Sequence, residues 1–227
     1  MAPCLQILRN SDLEVQTKLP SITFRTTKDI PEQLVETAKL GIEKAISAIP
    51  NRSDRIHLVE PKTTRDSDDL ISNLKNKEKG RQSCWGFQLD VTAIAEHLSQ
   101  WDVLLCNHDL MDQQYGWVFG VTEPQVHVSV LSVARFMNPR LTNSQTVLAV
   151  TRLLAHEVGH LLGLVERSNE TVDLYGKHCA NICIMRQAVT PLGWIKLAAE
   201  EELLGSGFCC SCKHELGQRW NCFPDST

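Results

Sequence analysis

The sequence predicts an α+β (mixed α/β) fold whose C-terminal part is stapled by metal. Three observations carry this. Strand-like runs and helical periodicities mix up to about residue 165 of the 227. A long helix with an apolar stripe is expected over 144–163. Six of the nine cysteines (Cys179, Cys183, Cys209, Cys210, Cys212 and Cys222) fall in the last 49 residues.

The elements follow in order. Residues 21–25 alternate like a short strand. Residues 31–48 read as a helix, with Pro31 at its start and Leu34, Val35, Ala38, Ile42, Ala45 and Ile46 at helical spacing. Residues 55–59 suggest a strand, and the charged stretch 61–82 a surface loop or an exposed helix. Two further strands are expected over 101–106 and 116–121. Residues 126–133 alternate, which predicts a strand with Val126, Val128 and Val130 on one face and His127, Ser129 and Leu131 on the other. The helix over 144–163 is expected to be capped by Asn143 or Ser144 and ended by Gly163. A loop-dominated, Cys-rich tail follows. The chain thus divides into an N-terminal subdomain, 1–165, and a C-terminal subdomain, 166–227, within one domain.

Composition excludes little but points away from some partners. Apolar residues make up 42% and charged residues 22%, as in ordinary globular proteins. With 23 basic and 27 acidic residues the net charge is −4, so neither nucleic acid nor a membrane surface is an expected partner. No apolar run approaches the ~20 residues that span a bilayer. Met1 to Asn10 lacks a basic start followed by an apolar core, so no signal peptide is expected. The expected location is cytoplasmic, where cysteines stay thiols or metal ligands.

The strongest local signal is His156-Glu157-Val158-Gly159-His160. Two histidines four apart on a helix lie one above the other and can share one Zn²⁺. Glu157 stands beside them, where it can take a proton from a metal-bound water. A chance match to this pattern arises in about 2% of chains of this composition, and the amphipathic helix around it lowers that further. A catalytic zinc wants a third protein ligand and an open position. Glu166 and His178 are the two candidates. The cysteine pairs Cys179/Cys183 and Cys209/Cys212 suit a closed tetrahedral site, with Cys210, Cys222 and His214 left over.

His178-Cys179, Cys183, Met185 and Cys209-x-x-Cys212, placed after the metal helix, resemble the archaemetzincin family over roughly residues 100–215. The family pattern is His-Glu-x-x-His-x-x-Gly-x-x-His followed by Cys, then Cys-x-Met, then a distal Cys-x-x-Cys. The sequence departs from it in three places. Fourteen residues separate Gly163 from His178 where the family has two, the Cys179–Cys183 spacing is one shorter, and 23 residues rather than about seventeen lie between Met185 and Cys209. The resemblance implies a metzincin-like zincin fold with a twisted mixed sheet, a long active-site helix and a zinc-stapled C-terminal subdomain. It implies two zinc ions per chain. His156, His160 and His178 would bind the catalytic one, and Cys179, Cys183, Cys209 and Cys212 the structural one. Glu157 would be the catalytic base and Met185 the Met-turn residue. The expected activity is a zinc metallopeptidase acting on a peptide or protein substrate, held along the strand 126–131 at the cleft edge. A zinc amidohydrolase with non-peptide substrates and a non-catalytic zinc-binding interaction module are the other readings.

Overall fold

A computed structural model describes residues 21–50, 56–59, 65–83, 86–123, 125–164 and 178–221. The first strand forms at Ser21–Thr26 (β1), with Ile22 and Phe24 turned into the core between half-buried polar neighbours. Helix α1, Glu32–Ile46, follows Pro31 and buries Leu34, Ala38, Ile42 and Ala45 on one stripe. Strand β2, His57–Val59, is next. The charged stretch beyond it is helical over Arg65–Asn76 (α2), where only Ser67, Ile71 and Leu74 are buried.

Five short strands and a helical turn come next: β3 (Gly80–Ser83), β4 (Gly86–Asp90), α3 (Val91–Ala95), β5 (Asp102–Cys106), β6 (Leu110–Asp112) and β7 (Gly116–Val118). Then come β8 (Gly120–Glu123), β9 (Val128–Ser132) and the long helix α4 (Asn143–Leu161). Two more helices, α5 (Pro191–Leu203) and α6 (Cys210–Asn221), complete the described chain. Among the described residues the tail is therefore largely helical, where a loop-dominated tail was expected. Thr190 caps α5 by accepting from Gly193 N, and Pro191 occupies its first turn.

The main sheet has the order β2-β1-β5-β9-β8. Strands β1, β2, β5 and β9 pair in parallel, and β8 runs antiparallel along the edge beside β9. A smaller sheet, β3-β4-β6-β7, packs beyond. Helices α1 and α4 cover one face of the main sheet in the larger apolar cluster, and α2 and α3 lie in the smaller cluster on the other. The larger cluster draws residues from Ile22 through Trp220.

Two strand expectations change. The strand expected over 116–121 is split at Phe119, its first part joining the small sheet and its second the main one. Phe119 is buried against Phe136 and Trp117, with ring centroids 4.9 and 5.2 Å apart, and the chain changes sheets to seat it there. Strand β9 does not have unlike faces. All five of its residues are buried, because Leu131 meets the α4 side while Val128 and Val130 meet the α2/α3 side. Val126 and His127 lie in the turn before it.

The cap of helix α4 lies one residue before the first cap expected from the sequence. Thr142, not Asn143 or Ser144, is the cap: its hydroxyl accepts from Gln145 N, and the Gln145 side chain accepts from Thr142 N at 2.9 Å. Among the described residues no helix is long and apolar enough to cross a membrane. Helices α1 and α4 touch at Gly41, where an added Cβ would lie 2.7 Å from Leu154 Cβ and against the Thr151 carbonyl. Helix propensity alone says that Gly41→Ala should gain about 1 kcal/mol. The clash with backbone opposes this, so we expect a net loss of about 1–3 kcal/mol in denaturant unfolding.

Candidate metal centre

The end of α4 sets the first cluster. Gly163, at φ +105°, reverses the chain. Leu164 N then donates to Gly159 O at 2.9 Å and Gly163 N to His160 O at 2.9 Å, a Schellman closure. The closure brings the Leu164 carbonyl back to His160, whose Nδ1 donates to it at 2.6 Å. His156, fully buried, donates from Nδ1 to the Ile184 carbonyl at 2.8 Å. Each donation fixes the tautomer that leaves Nε2 with its lone pair. The two Nε2 atoms are 3.3 Å apart.

His178 closes the group. Its ring stacks on His156 at 5.2 Å and meets His160 edge-on at 5.3 Å. One nitrogen from each of the three lies within 4.8 Å of the others. Nitrogens bound tetrahedrally to Zn²⁺ at ~2.0–2.1 Å stand about 3.3 Å apart, so the His156–His160 pair fits that ion. Burial, followed by the neighbouring His160 and His178, holds the His156 imidazole well below its ordinary range, so it is neutral and ready to ligate. Glu166, the other candidate ligand, lies outside the described residues.

Glu157 points to β8, away from the solvent side of α4. Its Oε2 accepts from Thr122 Oγ1 at 2.9 Å. Gly120 makes room for it: a Cβ there would lie 3.0 Å from both Cγ and Oε1. Burial raises the carboxyl to about 7, against the Thr122 hydrogen bond. Met185 lies buried under Gly159, where an added Cβ would stand 2.5 Å from its Sδ. The glycine between the two histidines is thus where the methionine seats.

The second cluster is four sulfurs. Cys183 Sγ and Cys212 Sγ are 3.3 Å apart, Cys209 and Cys212 3.5 Å, and Cys179 and Cys209 3.7 Å. These separations are far too long for disulfides. They approach the ~3.8 Å edges of a tetrahedron with ~2.3 Å Zn–S bonds. Cys209 N donates to Cys183 Sγ at 3.3 Å, and neighbouring thiols, Cys179 foremost, push the Cys209 thiol far down toward thiolate. Cys212 sits in the first turn of α6, so the Cys209/Cys212 pair is a loop-to-helix element. Cys210 is exposed, His214 pairs with Gln218 at 2.9 Å, and Cys222 lies outside the described residues.

Residues that sequence reasoning passed over hold these clusters together. Arg152, four residues before His156, is 2% exposed and donates to Glu201 at 2.6 Å, to the Cys183 carbonyl at 2.9 Å and to the Arg186 carbonyl at 2.6 Å. Its presence on an otherwise apolar stripe was the available signal. Trp194 packs edge-on to His156 at 5.2 Å and under the Arg152 guanidinium at 4.9 Å. His127 is half-buried and stacks on Trp101 at 4.8 Å. Strand β9 is flanked on both sides in the main sheet, so the edge next to it is formed by β8, 120–123, and not by the expected 126–131.

The raised carboxyl gives a sign that can be measured. A carboxyl lifted from 4.5 to about 7 stabilises the metal-free fold fully below 4.5, and this contribution is lost as pH rises through 7. Glu157→Gln removes that dependence. Metal-free Glu157→Gln should therefore gain on metal-free wild type between pH 5 and pH 8, by up to about 3 kcal/mol. Paired thermal melts check this, and a difference independent of pH would contradict it.

No protein-family model matches the sequence, and no curated protein matches it. Solved structures do. An archaemetzincin from Archaeoglobus fulgidus, complexed with malonate, superposes with a TM-score of 0.58 at 18% identity, covering 86% of this chain and 99% of that one. An archaemetzincin from Methanopyrus kandleri gives 0.57 at 16% identity, covering 91% and 98%. A zinc-dependent peptidase from Methanocorpusculum labreanum gives 0.52 at 17%, covering 86% and 99%. With its mixed sheet, its long histidine-bearing helix and its sulfur cluster, this chain has the archaemetzincin fold.

Proposed function

We propose that the chain is a zinc-dependent metallopeptidase, with one catalytic and one structural zinc. The observation that carries the reading is the convergence of His156, His160 and His178 beside a buried carboxyl at Glu157. The solved structures of like fold include a zinc-dependent peptidase, which agrees with it. Zinc bound by the three histidines would supply a Lewis acid that acidifies water and polarises a carbonyl. Glu157 takes the proton of the attacking water and passes it to the leaving amine. Cys179, Cys183, Cys209 and Cys212 would hold the structural ion, and Met185 floors the histidines.

A substrate chain has a place to lie. Ser132 N donates to Phe119 O at 2.8 Å, and the antiparallel register of β8 on β9 alternates from there. The peptide groups of Gly120 and Thr122 consequently face away from β9, at the free edge of the sheet. An extended peptide can add to that edge by main-chain hydrogen bonds.

Two measurements test the reading. Zinc-loaded Glu157→Gln should lose hydrolysis of a peptide library by at least about 100-fold while keeping its metal; undiminished cleavage would sink the mechanism, and cleavage of simple amides alone would move it to an amidohydrolase. Metal analysis should find two zinc ions in wild type and one each in His178→Ala and Cys209→Ala. Loss of an ion in Glu166→Ala, with two retained in His178→Ala, would reassign the third ligand.

A further inference from the structure

We propose that Thr122, backed by Ser129, is a positioning residue that fixes the Glu157 carboxylate from the sheet edge; this rests on the peptidase reading above. Thr122 Oγ1 lies 2.9 Å from Ser129 Oγ, 2.9 Å from Glu157 Oε2 and 3.0 Å from the Glu157 main-chain oxygen. A hydroxyl has one proton and two lone pairs. Both Glu157 oxygens are acceptors when the side chain is ionised, so Thr122 spends its single proton on Glu157. The carboxylate is the stronger acceptor of the two. Ser129, with no exposed surface, donates into the Thr122 oxygen. The order of donation is Ser129 to Thr122 to Glu157.

This chain of hydroxyls does more than satisfy buried oxygens. The Glu157 side chain is long, and a free carboxylate on a helix samples several rotamers. Here Oε2 is tied to Thr122, and Gly120 leaves open the space that Cγ and Oε1 occupy, since a Cβ there would lie 3.0 Å from each. The two contacts come from alternate residues of one strand, on the same face. They leave Oε1 as the oxygen that takes the water's proton. The same two residues turn their peptide groups to the outer edge, where an extended substrate would pair. Base orientation and substrate register are thus set by one four-residue strand. A β-branched hydroxyl residue is the side chain that serves both: it suits the strand and supplies the donor.

The test uses zinc-loaded full-length protein. Thr122→Val keeps the shape and removes the hydroxyl, and Thr122→Ser keeps the hydroxyl and removes the methyl. Thr122→Val should lower kcat by about 10- to 100-fold, with zinc content unchanged and KM within about twofold. Thr122→Ser should recover most of that, and Ser129→Ala should show a smaller loss than Thr122→Val. A crystal structure of Thr122→Val should show the Glu157 carboxylate rotated away from its wild-type position. A Thr122→Ser variant as poor as Thr122→Val, or a Thr122→Val crystal with Glu157 unmoved, overturns the proposal. If wild type cleaves no peptide, the peptidase reading fails, and the Glu157 position in the two crystals still decides the role of Thr122.

Discussion

The geometry of the centre depends on a four-residue loop, 183–186, that gives its main-chain carbonyls to helix α4. Cys183 O and Arg186 O accept from Arg152, and Ile184 O accepts from His156. Between them, Met185 seats its sulfur against Gly159. The same loop ends in a member of the sulfur cluster at Cys183, and Met185 O accepts from Cys179 N at 3.0 Å. One short stretch of backbone therefore aligns a histidine, floors the histidine pair, carries one sulfur of the cluster and holds the backbone of a second. Moving it would disturb both clusters together.

Arg152 is the group that makes this alignment hold. Burying a guanidinium is expensive, and burial pushes both Arg152 and Glu201 against their charged forms. The cost is offset by three short hydrogen bonds with defined directions. Each bond names one partner: a carboxylate on α5 and two carbonyls of the loop. A hydrocarbon side chain at 152 would fill the space without choosing among partners. Trp194 adds a flat surface against which both Arg152 and His156 rest.

Much of the chain was legible beforehand, and what was missed has identifiable causes. The helix α1 and the strands β1 and β5 announce themselves by apolar period, as does α4, because each buries one face against a core. The three histidines and the four cysteines could be grouped from the sequence because metal chemistry restricts residue type and spacing, and the fold brings the members of each group together. The smaller sheet was illegible because strands such as β6 and β7 span only three residues each, too few to show a period. Helices α5 and α6 show little apolar period, so only Thr190-Pro191, a plain helix start, marks the first of them in the sequence. The edge position of β8 could not be read at all. It depends on strand order, which is set by pairings between residues far apart in the chain.

An uncovered sheet edge carries a hazard as well as a use. A strand with outward peptide groups will accept another copy of itself as readily as a substrate, and most proteins cover or twist such edges away. On the proposed reading this edge has to admit a foreign chain, so it could not be covered. Strand β8 meets this by brevity: over Gly120–Glu123 only two residues turn their peptide groups outward. Two copies pairing there would gain a few hydrogen bonds and little else. On the proposed peptidase reading a substrate would gain the same bonds together with whatever the histidine cluster offers its carbonyl, so an edge this short gives self-association little reward.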